Sequence, residues 1–151
     1  MDIKIKKLLE KNSINYKILE HRTVYTAFTA AETQKINAKG LVKTVLVKFD
    51  KPFLLVSENE NIIKYSLGLI AIPGNQHLDF KKLEATIKTV LEKQFKKYTK
   101  TLPKLSKPTR IKLSLAKEKD ITGKLKSKVG LLSPFASLYE LPLLLDKKLI
   151  L

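Results

Sequence analysis

The sequence has no cysteine and only two histidines. Without cysteine the chain has no disulfide framework, no thiol nucleophile and no cysteine-based metal site. The two histidines, His21 and His77, are far apart, and neither has a carboxylate at metal-ligand spacing, so we expect no metal. The sequence also lacks a Walker loop and a Gly-x-Gly-x-x-Gly motif, which leaves nucleotide cofactors without support. We therefore expect a protein that works without a cofactor.

Long apolar runs are also missing. The longest lies near residues 66–72 and is much shorter than the roughly 18 residues that a membrane-spanning helix needs. The first residues, Met1–Lys7, alternate charged and apolar types and so lack the apolar region of a signal peptide. At 151 residues the chain is long enough for one domain and too short for two ordinary ones. We expect a single cytosolic domain, residues 1–151, that contacts no membrane.

Positive charge is what the sequence has in excess. Thirty lysines and arginines stand against 14 acidic residues, which gives a net charge of +16. Such a basic domain attracts polyanions because each neutralised phosphate releases condensed counterions, so a nucleic acid is the expected partner. Only two of the thirty are arginine, Arg22 and Arg110, so a lysine-rich coding bias is the alternative explanation of the charge.

Hydrophobic periodicity predicts helices interspersed with strands. Helical spacing occurs at Ile3–Leu9 and most clearly at Phe80–Phe95, where Asp79 is the expected cap and the outer face carries lysines. A capping box from Thr29 to Glu32 predicts another helix start. Strands are predicted at residues 14–21, 41–49, 53–56, 62–72, 110–115 and 141–145, with a hairpin turn at 57–61. We expect an α+β fold with a mixed, largely antiparallel twisted sheet flanked by helices.

Lys43 is unusual because it lies in an apolar strand, where it shares a face with Leu41, Val45 and Val47. Burying an unpaired ammonium is costly. The side chain therefore either meets an anionic or carbonyl partner in a cavity or extends its charged end to the solvent. A lysine held by a rigid strand in a pocket suits the binding of phosphate or the polarisation of an ester carbonyl.

The segment Gly130–Phe135 combines a glycine with a proline four residues later. Glycine permits close approach of a ligand to the backbone, and proline rigidifies the end of the loop. The pattern predicts either a loop that directs backbone N–H groups at a small substrate group or an ordinary structural turn. Ser133 does not lie in a nucleophile elbow, so no serine-histidine-aspartate triad is expected.

Several segments in a fixed order resemble one known family. They are Ile14–His21, Val24–Thr26, Thr29–Glu32, Leu41–Val47, Ile72–Gly74, Leu78–Leu83, Thr122–Gly123, Gly130–Phe135 and Leu145–Asp146. This series resembles the YbaK/prolyl-tRNA-synthetase-associated domain family, whose members edit mischarged tRNA. The resemblance covers residues 1–147, and its most specific parts are the lysine strand, the Leu-Asp-x-Lys-Lys-Leu helix start, the Thr-Gly pair and the Gly-x-x-x-Pro loop.

The resemblance implies a freestanding aminoacyl-tRNA deacylase with the barrel-like sheet of that family. It further implies action on tRNA-Pro carrying alanine or cysteine, no metal and no protein nucleophile, and prolyl-tRNA synthetase as a second partner. Lys43 is the implied catalytic residue, contacting the 3′ end of the aminoacylated tRNA. The implied substrate-binding residues are His21, Thr26, Thr122, Gly123, Gly130, Ser133, Pro134 and Phe135.

The chain departs from the family pattern in three places. Ala136 stands where the family usually has another glycine, which stiffens the loop or narrows the pocket. The segment 92–110 is longer and more basic than usual, which suggests an added RNA contact. Relatives usually continue with a further strand and helix beyond the position of Leu151, so we expect a shortened sheet. These departures leave two alternatives: a tRNA-binding module of the same fold without the reaction, and a generic basic domain.

Overall fold

The structure is a computed structural model that describes residues 2–20, 24, 27–128 and 131–150. Within these residues the principal elements are helices α1 to α3 and strands β1 to β4. In chain order they are α1 (Ile3–Lys11), α2 (Ala27–Thr33), β1 (Val42–Val56), β2 (Ile62–Pro73), α3 (Phe80–Tyr98), β3 (Leu113–Leu115) and β4 (Leu143–Leu145). Short 3-10 turns lie at Ala38–Gly40, Ala136–Tyr139 and Lys147–Leu149, and a π-helical turn lies at Asp120–Lys124.

The helices α1 and α3 begin at aspartates that cap them. Asp2 accepts a hydrogen bond from the backbone N–H of Lys4, and Asp79 accepts one from that of Lys82 at 3.0 Å. Such caps satisfy amide groups that have no partner within the helix. The predictions of both helices and of the Asp79 cap are confirmed.

Replacing the α3 cap should measurably weaken the fold. In Asp79→Ala the N–H of Lys82 loses its acceptor, so we expect the free energy of unfolding to fall by about 1 kcal/mol. The control is Asp79→Asn, whose side-chain oxygen can still cap the helix. Urea unfolding followed by circular dichroism measures both. Equal losses in the two variants would contradict a capping role.

The sheet has four strands in the order β3-β1-β2-β4. The turn Ser57–Asn61 joins β1 to β2, closed by a 2.9 Å bond from the N–H of Ser57 to the carbonyl of Asn61, so these neighbours run antiparallel. β3 pairs antiparallel with β1, with Val47 opposite Leu115. β4 pairs parallel with β2, with Leu69 opposite Leu143. The prediction of an α+β fold with a mixed sheet and flanking helices is confirmed.

Strand β1 is continuous where the sequence predicted two strands with a break at residues 50–52. Asp50 maintains the pairing in this region: its N–H donates to the carbonyl of Lys112 at 3.0 Å, and its carboxylate accepts the N–H of Lys112 at 2.8 Å. This second bond is the main cause that holds the pKa of Asp50 below its ordinary value. The prediction of a break is wrong because a polar residue inside a strand can continue the hydrogen bonding through its side chain.

Two further predictions are wrong. Residues 14–20 form no strand, since Ile14, Ile18 and Leu19 stay about half exposed and the sheet contains no strand from this segment. Alternation of apolar residues makes a strand only where a neighbouring strand is available to pair with it. Helix α2 begins before Thr29, which therefore lies inside the helix and is not its cap.

The chain divides into two compact units. Unit 1 contains Met1–Val45, Leu69–Gln76 and Lys117–Leu151, and unit 2 contains Leu46–Gly68 and His77–Ala116. Residues 69–72 of β2 are fully or almost fully buried in unit 1. In unit 2, α3 buries Leu83, Ile87 and Leu91, and the Glu84 carboxylate accepts the N–H of Leu113 at 2.9 Å, which ties α3 to β3. Among the helices of the described residues, none has the length and apolar character needed to cross a membrane.

Candidate functional site

Lys43 lies near the start of β1 and is half-buried. Its Nζ donates a hydrogen bond to the backbone carbonyl of Gln76 at 2.5 Å, across 33 positions of the chain. The sequence left open a carbonyl or anionic partner in a cavity, or extension into the solvent. The structure has the carbonyl partner, and Lys43 lines neither of the two clefts described below. The amine is therefore held in a defined position.

The turn that accepts this bond is itself fixed to the beginning of β1. The N–H of Gly74 donates to the carbonyl of Leu41 at 2.7 Å, and the N–H of Gln76 donates to that of Pro73 at 2.9 Å. Gln76 enters the site through its backbone, so no side-chain pattern could have marked it. An ammonium has three N–H donors. The bond to Gln76 therefore leaves two donors of Lys43 for a ligand.

Thr122 and Gly123 lie in the π-helical turn and are exposed. The hydroxyl of Thr122 donates to the carbonyl of Glu118 at 3.0 Å. A Cβ placed on Gly123 would meet no heavy atom within 4 Å, so the backbone here borders open space. The packing of the turn thus does not require a glycine at this position.

Asp120 organises the same turn and was missed by the sequence analysis. It is 3% exposed, its carboxylate accepts the N–H of Lys117 at 3.2 Å, and it pairs with the Lys124 ammonium at 3.3 Å. An acidic residue that accepts the N–H three positions before it forms one half of a capping box. Lys117 lacks the side-chain acceptor for the other half, so the sequence carried no capping-box signature here.

In the predicted substrate loop, Ser133 is buried and engaged within the loop. Its N–H donates to the phenolic oxygen of Tyr139 at 3.0 Å, and its hydroxyl accepts the N–H of Phe135 at 3.2 Å. Pro134 and Phe135 are half-buried, and Ala136 is 7% exposed. In the present arrangement the N–H groups of Ser133 and Phe135 are thus satisfied by the protein.

The described members of the predicted site all belong to unit 1. These are Lys43, Thr122, Gly123, Ser133, Pro134 and Phe135. His21, Thr26 and Gly130 lie outside the described residues. Within the described part of the chain, no hydrogen bond or ion pair joins Lys43 to the Thr122–Gly123 turn or to the loop 131–135. The described residues of the predicted site therefore lie in the same unit, but no polar bond links the lysine, the π-helical turn and the loop to one another.

Two clefts are present in unit 2, and neither is lined by a predicted site residue. One, of about 150 Å³, is bordered by Phe53, Phe95 and Gln94. The other, of about 500 Å³, runs between α3 and residues 107–111. No group of three or more histidines or acidic residues arranged to hold a metal occurs in the portion of the chain that is described.

Comparison with known proteins relates the chain to two solved structures. It is similar to the crystal structure of a hypothetical protein, APE2540, with a TM-score of 0.58 and 17% identity over 95% of this chain and 73% of that chain. It is also similar to a structure from work on epitope backbone grafting by computational design on scaffold proteins, with a TM-score of 0.59 and 14% identity over 96% and 70% of the two chains. No protein-family model and no curated protein matches the chain. At these identities the likeness establishes a shared fold and nothing about activity.

Proposed function

We propose that the protein is a freestanding aminoacyl-tRNA deacylase that hydrolyses the ester of mischarged tRNA in trans. The substrate we propose is tRNA-Pro carrying alanine or cysteine, and the specific fold is that of the YbaK/prolyl-tRNA-synthetase-associated family. The ordered motifs of the sequence support the family, and the net charge of +16 supports an RNA substrate. The observation that carries the proposal is the ammonium of Lys43, held against the Gln76 carbonyl with two donors remaining.

The proposed reaction requires few catalytic groups from the protein. An aminoacyl ester is already reactive, so positioning of the ester and stabilisation of the charge that develops on its carbonyl oxygen are sufficient. The donors that remain on Lys43 would serve that oxygen. A water, or a group of the substrate such as a ribose hydroxyl or a cysteine thiol, would attack. A separate editing site is useful because one methylene changes synthetase selectivity by only about 1–3 kcal/mol.

Deacylation assays on a panel of charged tRNAs test the proposal. Purified protein should release the amino acid from alanyl- or cysteinyl-tRNA-Pro faster than from correctly charged prolyl-tRNA-Pro. Seryl-tRNA-Pro completes the panel as a further small side chain. Release at the uncatalysed rate from every member would count against the deacylase.

A tRNA-binding module without the reaction is the second candidate. Its support is the loop at residues 131–136, where the N–H groups of Ser133 and Phe135 are bonded internally and Ala136 is buried. This candidate predicts salt-dependent binding of tRNA with no release of the amino acid. Binding and release measured on the same preparation separate the two functions.

Gly123→Ala should separate stability from activity. The new Cβ has room, and restricting the unfolded chain stabilises the fold by about 0.4–1 kcal/mol where the backbone conformation permits alanine. If Gly123 borders the substrate, the same methyl group should slow deacylation. Thermal unfolding and single-turnover deacylation measure the two effects. Unchanged deacylation together with raised stability would remove Gly123 from the site.

A further inference from the structure

Unit 2 contains a long run of cationic residues without counter-charges in sequence. From residue 93 to residue 116, where unit 2 ends, there are eight lysines and arginines and no aspartate or glutamate. The run includes the last residues of α3 and the segment that follows it. A run of this kind is attracted to polyanions wherever the fold gathers its side chains.

The fold places two of these side chains, together with two lysines from earlier in α3, at the larger cleft, which we call the basic cleft. Lys81 and Lys88 of α3 line one side, and Lys107 and Arg110 line the other. Its two carboxylates are already engaged: Glu84 accepts the N–H of Leu113, and Glu92 pairs with Lys88 at 3.8 Å. Among the described residues Lys81, Lys107 and Arg110 form no ion pair, so they remain available to an anion.

The smaller cleft, which we call the ring cleft, has a different lining. Phe53, Leu91 and Phe95 give it apolar walls, and Gln94 contributes an amide. The Nε2 atom of Gln94 is buried and has no hydrogen-bond partner in the described part of the chain. At about 150 Å³ the ring cleft matches an apolar cavity known to accommodate one benzene ring. It therefore suits a flat ring, and the enclosed Nε2 reaches an acceptor on that ring once the Gln94 side chain turns toward the cleft.

The two clefts are adjacent. Lys107, Pro108, Thr109 and Ile111 line both of them, so this short segment is their common wall. A ligand with a ring in one cleft and negative charge in the other must carry both groups a few bonds apart. A nucleotide within a single strand has this composition, because its base has a flat face and acceptor atoms and its backbone carries phosphates.

We propose that unit 2 binds an unpaired nucleotide of a single-stranded RNA, with a pyrimidine base in the ring cleft and the flanking phosphates in the basic cleft. The Gln94 side chain turns toward the cleft, and its amide donates to an acceptor of the base. Lys81, Lys107 and Arg110 neutralise the phosphates. The site lies in unit 2 and does not depend on deacylation, since it would serve the deacylase and the non-catalytic module equally. Only the choice of RNA as the probe rests on the proposed function.

Charge-neutralising variants test the basic cleft against a matched control. Lys81→Gln/Lys107→Gln/Arg110→Gln removes three cations of the cleft, and Lys93→Gln/Lys96→Gln/Lys100→Gln removes three exposed cations of the same unit that line neither cleft. The probe is a fluorescein-labelled oligouridylate of about 12 nucleotides, followed by anisotropy. We expect the cleft variant to lose at least about tenfold in affinity near 50 mM salt, and its slope of log affinity against log salt to shrink by about 2. The control should lose much less.

The ring cleft is tested through the base. Wild-type protein should bind the oligouridylate at least about fivefold more tightly than an abasic oligomer of equal length and charge, because the base contacts the cleft. Gln94→Leu removes the amide donor but keeps a side chain of similar size. It should reduce the preference for the base-bearing oligomer while leaving the affinity for the abasic oligomer unchanged. Gln94→Met also removes the amide donor, keeps the length of the side chain, and should give the same result. Thermal unfolding verifies that each variant is folded.

Two results would overturn the proposal. One is equal loss of affinity in the cleft and control triple variants, which would reduce the binding to general attraction by charge. The other is equal affinity of the wild-type protein for the base-bearing and abasic oligomers, which would leave the ring cleft without a base. Oligouridylate binding by a protein that fails to deacylate any tRNA would refute the proposed reaction and leave this site intact.

Discussion

Lys43→Met should lower the rate of the proposed deacylation about 10²- to 10³-fold while leaving the protein folded. The substitution keeps the aliphatic length of the side chain but removes the ammonium, which is fixed by the Gln76 carbonyl and has two donors left for the ester oxygen. Losing one well-placed donor to a developing oxyanion typically has an effect of this size. Single-turnover hydrolysis of mischarged tRNA measures it, and circular dichroism verifies the fold.

Two control variants show whether a loss of rate in Lys43→Met comes from the missing ammonium. Lys48→Met changes another half-buried lysine of β1 and should leave the rate unchanged. Lys43→Arg keeps the positive charge with a different geometry and should retain part of the activity. If Lys43→Met is destabilised but deacylates at the wild-type rate, the ammonium only closes the Pro73–Gln76 turn, and the catalytic assignment is wrong.

Asp120→Ala should lower the free energy of unfolding by about 2 kcal/mol. Its carboxylate is buried and bonds the N–H of Lys117, and hydrogen bonds to charged groups contribute about this much. Lys124→Met is the matched control for the ion pair. Because the Lys124 side chain is 53% exposed, we expect that change to cost at most about 1 kcal/mol.

The two Asp120 outcomes also bear on the candidate site, because Asp120 shapes the turn that holds Thr122 and Gly123. Asp120→Asn retains an acceptor oxygen and should fall between the wild type and Asp120→Ala. Chemical denaturation gives the energies, and deacylation at a temperature where all variants are folded gives the effect on activity. A larger loss for Lys124→Met than for Asp120→Ala would contradict the assigned role of the backbone bond.

The parts of the fold that depend on local interactions were predictable. Helix α3 shows helical periodicity and an aspartate cap, and the polar residues 57–61 mark the hairpin turn. Strand pairing depends on distant partners, and prediction failed at two segments for this reason. Residues 14–20 alternate like a strand but have no strand beside them, while β1 continues through Asp50 because Lys112 lies opposite.

The candidate site, like the fold, was predictable only where the signal is local. A lysine in an apolar strand identifies Lys43 as unusual, yet its partner is a backbone carbonyl that only the folded chain brings near. The sequence left open whether residues 130–135 direct N–H groups at a ligand or form an ordinary turn, and the structure shows the N–H groups of Ser133 and Phe135 bonded within the loop. The clefts of unit 2 were not predicted because they form only when α3 packs beside the segment that ends at Ile111. The unpaired Gln94 amide also arises only through tertiary packing.

Both edge strands of the sheet are three residues long and carry exposed leucines, Leu115 on β3 and Leu143 and Leu145 on β4. Short edges limit pairing between copies of a protein, whereas exposed leucines favour it. The net charge of +16 adds mutual repulsion between copies. A bound polyanion cancels that repulsion. If the proposed RNA binding holds, these edges would therefore meet, and the protein would cluster, when several copies crowd along one RNA. High concentration of the free protein would favour such contacts less.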